Sequence, residues 1–429
     1  MSEHTTTKIL DVYLQSKLAG KLTATNAELS FAYDADYLQH PNGRKLSASM
    51  PLQPEAFGHS IAAPFFSGLL PDEGVRARLA RYLTLSERNT FALLKAIGGE
   101  CAGAISLYPE GITPHAQAEP TYRRLSEAEA DAVLASLDKR PMLAGEEDVR
   151  ISGAGAQNKL MIAFDAEGQI AIPTGSTAST HIIKPPIAGL EDSVFNEFFC
   201  MQLARDAGLP APETRILWIT GKPYYLVARY DRQADASGTV HRLHQEDFCQ
   251  AMHIAPEIKY ENEGGPALEQ CFALLDARIA SGAMAGKNKI TLLQGVIFNY
   301  LIGNGDAHGK NFSILYHGES ESLAPFYDLL CTQIYSDAFN AKMAMKIGGK
   351  YKFKEVSIRH WEKLGVALGF RQDFVKRQIV TINNDVAKAA TSLFGKLNGN
   401  SETASPVYEQ IMAVITANHQ RMTNFQSEA

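Results

Sequence analysis

The periodicity of the chain changes at Arg232, and no other feature constrains the fold as strongly. From Val149 to Arg232 the sequence breaks into short runs that read as strands: VRISG, KLMIAFD, QIAIP, HIIKPP, RILWI and YYLVARYDR. One helix interrupts them, SVFNEFFCMQLARDAGL, closed by Gly208 and Pro210. Beyond Arg232 helical spacing dominates to the end, with strands expected only near Asn311–Tyr316 and Lys342–Ile347. Upstream, residues 8–25 read as a hairpin turning near Gly20. Residues 60–97 read as helical, with Leu69, Val75, Leu79, Leu83, Phe91 and Leu94 recurring at helical spacing and Pro71 and Asp72 opening one segment. The short apolar run AGAISLYP leads into a connector, GITPHAQAEPTY, and then a helix, LSEAEADAVLASL, capped by Ser126. The expected divisions are 1–145, a mixed α/β subdomain with its connector; 146–232, a sheet-rich lobe; and 233–429, a mostly helical lobe. The fold class is α+β.

A chain of 429 residues has ample length for several cores. Its net charge of −6 excludes a general polyanion binder, while leaving room for a local basic face. The five cysteines, Cys101, Cys200, Cys249, Cys271 and Cys331, have no CxxC spacing, which fits reduced thiols better than a disulfide framework or zinc site. MSEHTTTKILDVYL lacks the basic and apolar regions of a signal peptide. The apolar run Leu292–Ile302 is too short and too polar to span a bilayer, being broken by Gln294, Gly295 and Asn299. The expectation is a cytoplasmic protein with no membrane partner.

The stretch FNYLIGNGDAHGKNFSILY, 298–316, carries more chemistry than a loop needs. Asp306 and Asn311 have the D-x-x-x-x-N spacing of a protein-kinase catalytic loop, where the aspartate accepts the substrate hydroxyl proton and the asparagine holds magnesium. Asp328, after an apolar run in LAPFYDLL, suits a second magnesium ligand. SGAGAQNK, 152–159, lets the backbone approach an anion, although it is neither a Walker nor a Rossmann motif. Lys184 ends an apolar strand and needs an anionic partner, with Glu197 in the next helix placed to orient it. YYLVARYDR sits between the lobes, where a hinge offers backbone groups to adenine and Asp231 to ribose. Each segment also has a plainer reading: a capping loop, a helix-capping aspartate, a tight hairpin, an edge-strand lysine, a strand and turn. The order discriminates, because glycine loop, lysine, glutamate, hinge, D-x-x-x-x-N and second aspartate follow one another as in kinases.

Taken together, RISGAGAQNK, THIIKPP, NEFFCMQLARDAGL, LVARYDR, HQEDFCQAM, KYENEGGP, LIGNGDAHGKNFS and LAPFYDLL resemble the HipA-type serine/threonine kinase toxins of bacterial type II toxin–antitoxin systems. FSGLLPDEGVRARL and IGGECAGAISLYP resemble that family's N-terminal module, so the likeness runs over about residues 8 to 420. The resemblance implies a two-lobed protein-kinase-like fold with an additional N-terminal subdomain, and a requirement for ATP and Mg2+. It implies Asp306 as the catalytic base and Asn311 and Asp328 as metal ligands. It puts Ala154, Gly155, Ala156, Gln157, Asn158, Lys159, Lys184, Ala228, Arg229, Tyr230, Asp231, His308, Gly309, Lys310, Asn311, Tyr327 and Asp328 around the nucleotide. The family's self-phosphorylated serine falls on Ser152, with an inhibitory effect implied. Two positions depart from the family pattern: Ala228 stands where an acidic residue is found, and Asn158 where glutamate is frequent. The implied partners are a HipB-like helix-turn-helix antitoxin, operator DNA mainly through that antitoxin, and a protein substrate, with translation proteins fitting the family. The implied outcome is growth arrest. The family's DNA-contacting basic residues lie in the C-terminal region, and no such role is carried over to Lys376, Arg377 or Lys388. The rival readings are a catalytically idle corepressor in an antitoxin–operator complex and an ATP-grasp-like ligase. Retention of Asp306, Asn311, Asp328 and Lys184 argues against the first, and the late D-x-x-x-x-N loop against the second.

Overall fold

The computed structural model describes residues 7–114, 120–165, 167–335 and 342–427, so part of the GITPHAQAEPTY connector lies outside the described residues. The N-terminal part is a four-stranded antiparallel sheet, order β3-β2-β1-β4, made of β1 (Lys8–Leu14), β2 (Lys17–Thr25), β3 (Glu28–Tyr33) and β4 (Ile105–Pro109). Between β3 and β4 run α1 (Ala35–Gln39), α2 (His59–Gly68), α3 (Glu73–Tyr82) and α4 (Thr90–Ile97). Phe31, Phe65, Phe66 and Leu94 fill the core between sheet and helices. The hairpin over residues 8–25 forms, but it turns where Leu14 pairs with Lys17, and Gly20 lies inside β2. A Cβ on Gly20 would stand 2.2 Å from the Ala32 carbonyl oxygen, so the glycine serves close backbone approach rather than a turn.

The middle of the chain builds a six-stranded sheet, order β5-β7-β6-β8-β10-β9, from β5 (Tyr122–Arg124), β6 (Leu160–Phe164), β7 (Ile170–Pro173), β8 (His181–Lys184), β9 (Thr214–Ile219) and β10 (Lys222–Ala228). Alternation along β10 shows how the sheet is covered. Tyr224 and Leu226 pack into the core shared with α5 (Glu127–Ser136), while Tyr225 and Val227 pack into the core shared with α6 (Ser193–Asp206). Ser126 caps α5 in a capping box with Glu129. VRISG does not join this sheet. Ile151 makes one parallel bridge to Glu100, and the Glu100 backbone takes both the Arg150 carbonyl and the Ser152 N–H, so the N-terminal part captures the segment.

The C-terminal lobe holds α7 (Phe248–Ala251), α8 (Leu268–Ala280), α9 (Lys287–Leu301), α10 (Ile358–Ala367), α11 (Gln372–Asn398) and α12 (Val407–Ser427). It has more strands than its sequence suggests: β11 (Arg232–Ala234) pairs with β12 (Val240–Arg242), β13 (His244–Asp247) with β14 (Ser313–His317), β14 with β15 (Ser320–Leu323), and β16 (Lys342–Ile347) with β17 (Lys350–Lys352). β13 reads HQED and shows no apolar alternation, yet Glu246 and Asp247 are buried against a strand supplied from far along the chain. Phe199 of α6, Tyr300 of α9, Trp361 of α10 and Tyr408 of α12 meet in one core, which fixes the helical lobe against the sheet.

Candidate active site

β8 delivers Lys184 to a position between two carboxylates. Its ammonium donates to Glu197 Oε1 of α6 at 2.6 Å and to Asp328 Oδ1 at 2.7 Å. Burial pulls Lys184 down, but Asp328 and Glu197 more than offset it and hold the lysine charged. Two carboxylates share one ammonium, and they separate. Asp328 is held well below its ordinary value by Lys184 and Lys159 against the effect of burial. Burial pushes Glu197 up to about 7, with Asp328 adding to the rise. The Asp328 side chain keeps 38% exposure, so it is reachable from solvent. Its φ of +58° is a left-handed conformation that aspartate tolerates better than most residues.

The D-x-x-x-x-N loop follows the end of α9 and is braced from within. Asn304 accepts from the Asp306 N–H at 3.0 Å, Thr332 accepts from the Gly305 N–H at 2.7 Å, and the Asn311 amide donates to the Asp306 carbonyl at 2.9 Å. That last bond leaves the Asn311 side-chain oxygen available. Tyr327 donates to the Lys310 carbonyl at 2.7 Å and stacks on Tyr230. The Asp306 carboxylate accepts from the Tyr260 hydroxyl at 2.5 Å. Burial raises Asp306 to about 6; the Tyr260 bond opposes the rise and the Asp328 charge assists it. His308 is buried with its Nδ1 unpartnered among the described residues, and burial with Lys259 and Lys310 lowers it to about 3, so the ring is neutral.

The glycine loop packs close by. Lys159 donates to the Ala154 carbonyl at 2.6 Å, which curls the loop, and burial with Lys184 lowers it to about 8. Gly155 sits at φ +107°, a conformation for which glycine is suited, and a Cβ there would meet the Lys159 ammonium at 2.6 Å. Gln157 donates to the Pro185 carbonyl at 3.2 Å.

Several residues assigned from sequence to the nucleotide are spent elsewhere. Asn158 faces the N-terminal part and the α5 end, accepting from Arg78 and donating to Asp138. The Asp231 carboxylate takes Arg229, Arg232 and the Gly103 N–H in a buried cluster, which corrects its ribose role. The Arg229 side chain belongs to the same cluster, with Ser179 and the Cys101 carbonyl. The Ala228 and Arg229 N–H groups already pair with the Glu213 and Thr180 carbonyls, so these two hinge donors are not open to adenine. Lys310 points to Asp72 at 2.6 Å. Ser152 is fully buried and donates to the Leu69 carbonyl at 2.6 Å. Lys159, Lys184, Glu197, Asp306, Asn311 and Asp328 do come together. Sequence reasoning gave no role to Tyr260, Lys259 or Asp72. Their only signal was polar residues held inside the KYENEGGP and LLPDE segments, with nothing to link them to a loop distant in sequence.

The donor set fits a magnesium nucleotide. The Asn311 amide oxygen and the Asp328 carboxylate offer hard oxygen ligands of the kind Mg2+ uses with phosphates and water, and the orphaned His308 Nδ1 lies on the same loop.

Residues 151–393 match the family model of the HipA-like C-terminal domain, and residues 10–108 that of the HipA N-terminal domain. The protein Y4mE of Sinorhizobium fredii is 41% identical over 392 residues, covering 90% of this chain and 91% of its own. The serine/threonine-protein kinase toxin HipA of Shewanella oneidensis is 31% identical over 359 residues, 80% of each chain. The solved complex of Shewanella oneidensis HipA with HipB and operator DNA gives a TM-score of 0.82 at 26% identity, over 98% of both chains, which agrees with the α+β two-lobed fold expected from sequence.

Proposed function

The chain belongs to the HipA family, and from that premise we propose that it is a serine/threonine protein kinase acting as the toxin of a toxin–antitoxin pair. The observation that carries the reading is the single ammonium of Lys184 held between Glu197 and Asp328, beside a loop that presents Asp306 and Asn311. Lys184 and Lys159 neutralise phosphate charge, and Lys184 is kept protonated for that purpose by its two carboxylates. Asn311 and Asp328 would hold Mg2+, which when bound would supply charge neutralisation at the phosphates. The acceptor hydroxyl oxygen attacks the γ-phosphorus, its proton passes to Asp306, and ADP leaves. Because Asp306 sits near 6, it is ionised and still basic at neutral pH. The stacked pair of Tyr230 and Tyr327 stands behind the catalytic loop and fixes it by way of the Lys310 carbonyl.

The target is a cellular protein whose modification arrests growth. The partner is a HipB-like helix-turn-helix antitoxin, through which this acidic chain is brought to operator DNA. Ser152 is the site of inhibitory self-phosphorylation. A phosphoryl group of charge about −1.5 to −2 does not fit where the hydroxyl donates to Leu69, so modification expels the glycine loop from its present seat. No described helix is long and apolar enough to cross a membrane.

Induced without its antitoxin, the chain should stop cell growth, the Asp306→Asn variant should not, and the helix-turn-helix partner should restore growth. Normal growth at full expression of the wild-type chain contradicts the toxin reading.

A further inference from the structure

Asp72 stands at the N-cap position of α3, where an aspartate ordinarily accepts the N–H groups of the first turn. Here its side chain makes no capping bond. Its two carboxylate oxygens reach instead into the C-terminal lobe, Oδ1 to the Lys310 ammonium at 2.6 Å and Oδ2 to the Lys259 ammonium at 3.3 Å. All three side chains are about 95% buried. Burial works against the Asp72 carboxylate, yet Lys310 and Lys259 outweigh it and hold it below its ordinary value. The following residue, Glu73, sits at φ +44°, a strained conformation for a side-chain-bearing residue, and its carboxylate meets Lys259 at 2.9 Å. A helix start that gives up its own cap and accepts strain is shaped by what it touches.

We infer that Asp72 is a positioning residue for phosphotransfer, a carboxylate supplied by the N-terminal part that clamps both segments flanking the base Asp306. Lys310 lies in the catalytic loop, next to Asn311. Lys259 adjoins Tyr260, whose hydroxyl donates to the Asp306 carboxylate. Asp72 thus fixes the loop from one side and the tyrosine from the other. Its backbone extends the clamp to a third segment, because the Asp72 N–H donates to the Gly155 carbonyl at 3.1 Å and Pro71 bridges Gly155. Upstream, the Leu69 carbonyl holds the Ser152 hydroxyl. The stretch from Leu69 to Asp72 therefore ties the glycine loop to the catalytic loop, and the site is incomplete without the N-terminal part.

The inference rests on the kinase reading, and the test separates the two. Phosphate transfer to protein is measured at saturating ATP for wild type, Asp72→Asn, Asp72→Glu, and the double variant Asp72→Asn with Lys310→Met, alongside melting temperature and KM for ATP. Misplacement of a reacting group by about 1 Å costs about 100-fold in rate. Asp72→Asn should therefore lose kcat on that scale while KM for ATP moves far less, because Lys184 and Lys159 are untouched. Asp72→Glu should recover part of the rate. If the single variant is poorly folded, the double variant, which removes the unpaired ammonium, should regain melting temperature while remaining slow. Wild-type kcat in Asp72→Asn, or a double variant that regains rate together with stability, overturns the inference and leaves the kinase reading standing. A wild-type protein that transfers no phosphate sinks the kinase reading and this inference with it.

Discussion

Asp306 and Asp328 are the same side chain in two environments, and the difference fits the separate work proposed for them. Lysines close to Asp328 keep it anionic, which suits a metal ligand, whereas burial lifts Asp306 to about 6, which suits a proton acceptor. The base must be ionised to act, so kcat/KM should rise with pH through about 6 rather than near the ordinary aspartate value. The Tyr260 bond lowers Asp306, so Tyr260→Phe should move the acid limb to higher pH. An acid limb that stays at the ordinary carboxylate range, or one that Tyr260→Phe leaves in place, counts against Asp306 as base. Lys184, Glu197, Asp306, Asn311 and Asp328 were singled out from spacing and order as groups that phosphoryl transfer uses, and the fold places Lys184 between Glu197 and Asp328 beside the loop of Asp306 and Asn311. The burial of Asp231 and of the Arg229 side chain has a physical source. A charged residue at the end of a strand looks open to a ligand, and nothing local reveals that Glu100, Arg229, Asp231 and Arg232 neutralise one another in the interior.

Among the elements, α9 seats the segment that carries Asp328. Gly295 faces Phe326, and a Cβ there would fall 2.2 Å from the ring, which adjoins Tyr327 and Asp328. In the sequence Gly295 merely interrupts an apolar run; in the fold it is the notch that seats Phe326. Gly295→Ala should cost about 1–3 kcal/mol through overpacking and should also weaken Mg-ATP binding, since Phe326 cannot move without Asp328. Calorimetric titration with the nucleotide checks this, and unchanged affinity with lowered stability would confine Gly295 to packing. Strands and helices with a strong local pattern were readable, as β6, β7, β8, β9 and β10 show. β13 was not, because HQED is stabilised by pairing with β14 and by buried partners rather than by its own propensity. VRISG failed in the opposite sense: its apolar run is used by the Glu100 backbone and not by the sheet.

Across the whole molecule, the N-terminal part is locked onto both lobes by buried polar groups. Glu246 of β13 accepts from Ser47 at 2.5 Å and from the Ala48 N–H at 2.8 Å, and His244 donates to the Leu46 carbonyl at 2.7 Å while stacking on Tyr316. Burial, partly opposed by the Leu46 bond, lowers His244 from 6.5 to about 4, so it is neutral in the folded protein. A histidine whose folded value is depressed adds stability that is present above pH 6.5 and is lost as pH falls towards 4, about 3 kcal/mol at 1.36 kcal/mol per unit. Melting temperature should therefore drop between these limits, and less steeply in His244→Gln; equal slopes would place the acid sensitivity elsewhere. Glu100, held at about 2 by Arg242, Arg232 and Arg229 despite burial, extends the loss to lower pH, because its stabilisation is full above 4.5 and fades towards 2. This interlocking was the least legible feature, since the sequence divides into segments while the site draws on all of them. The central claim is phosphoryl transfer by the cluster of Lys184, Asp306, Asn311 and Asp328. Incubation of the purified chain with γ-labelled ATP and Mg2+, read by mass spectrometry of protein, should show phosphate on serine or threonine, including Ser152, and none with Asp306→Asn. Transfer by Asp306→Asn at the wild-type rate, or none by the wild type with any protein acceptor including itself, would contradict the account.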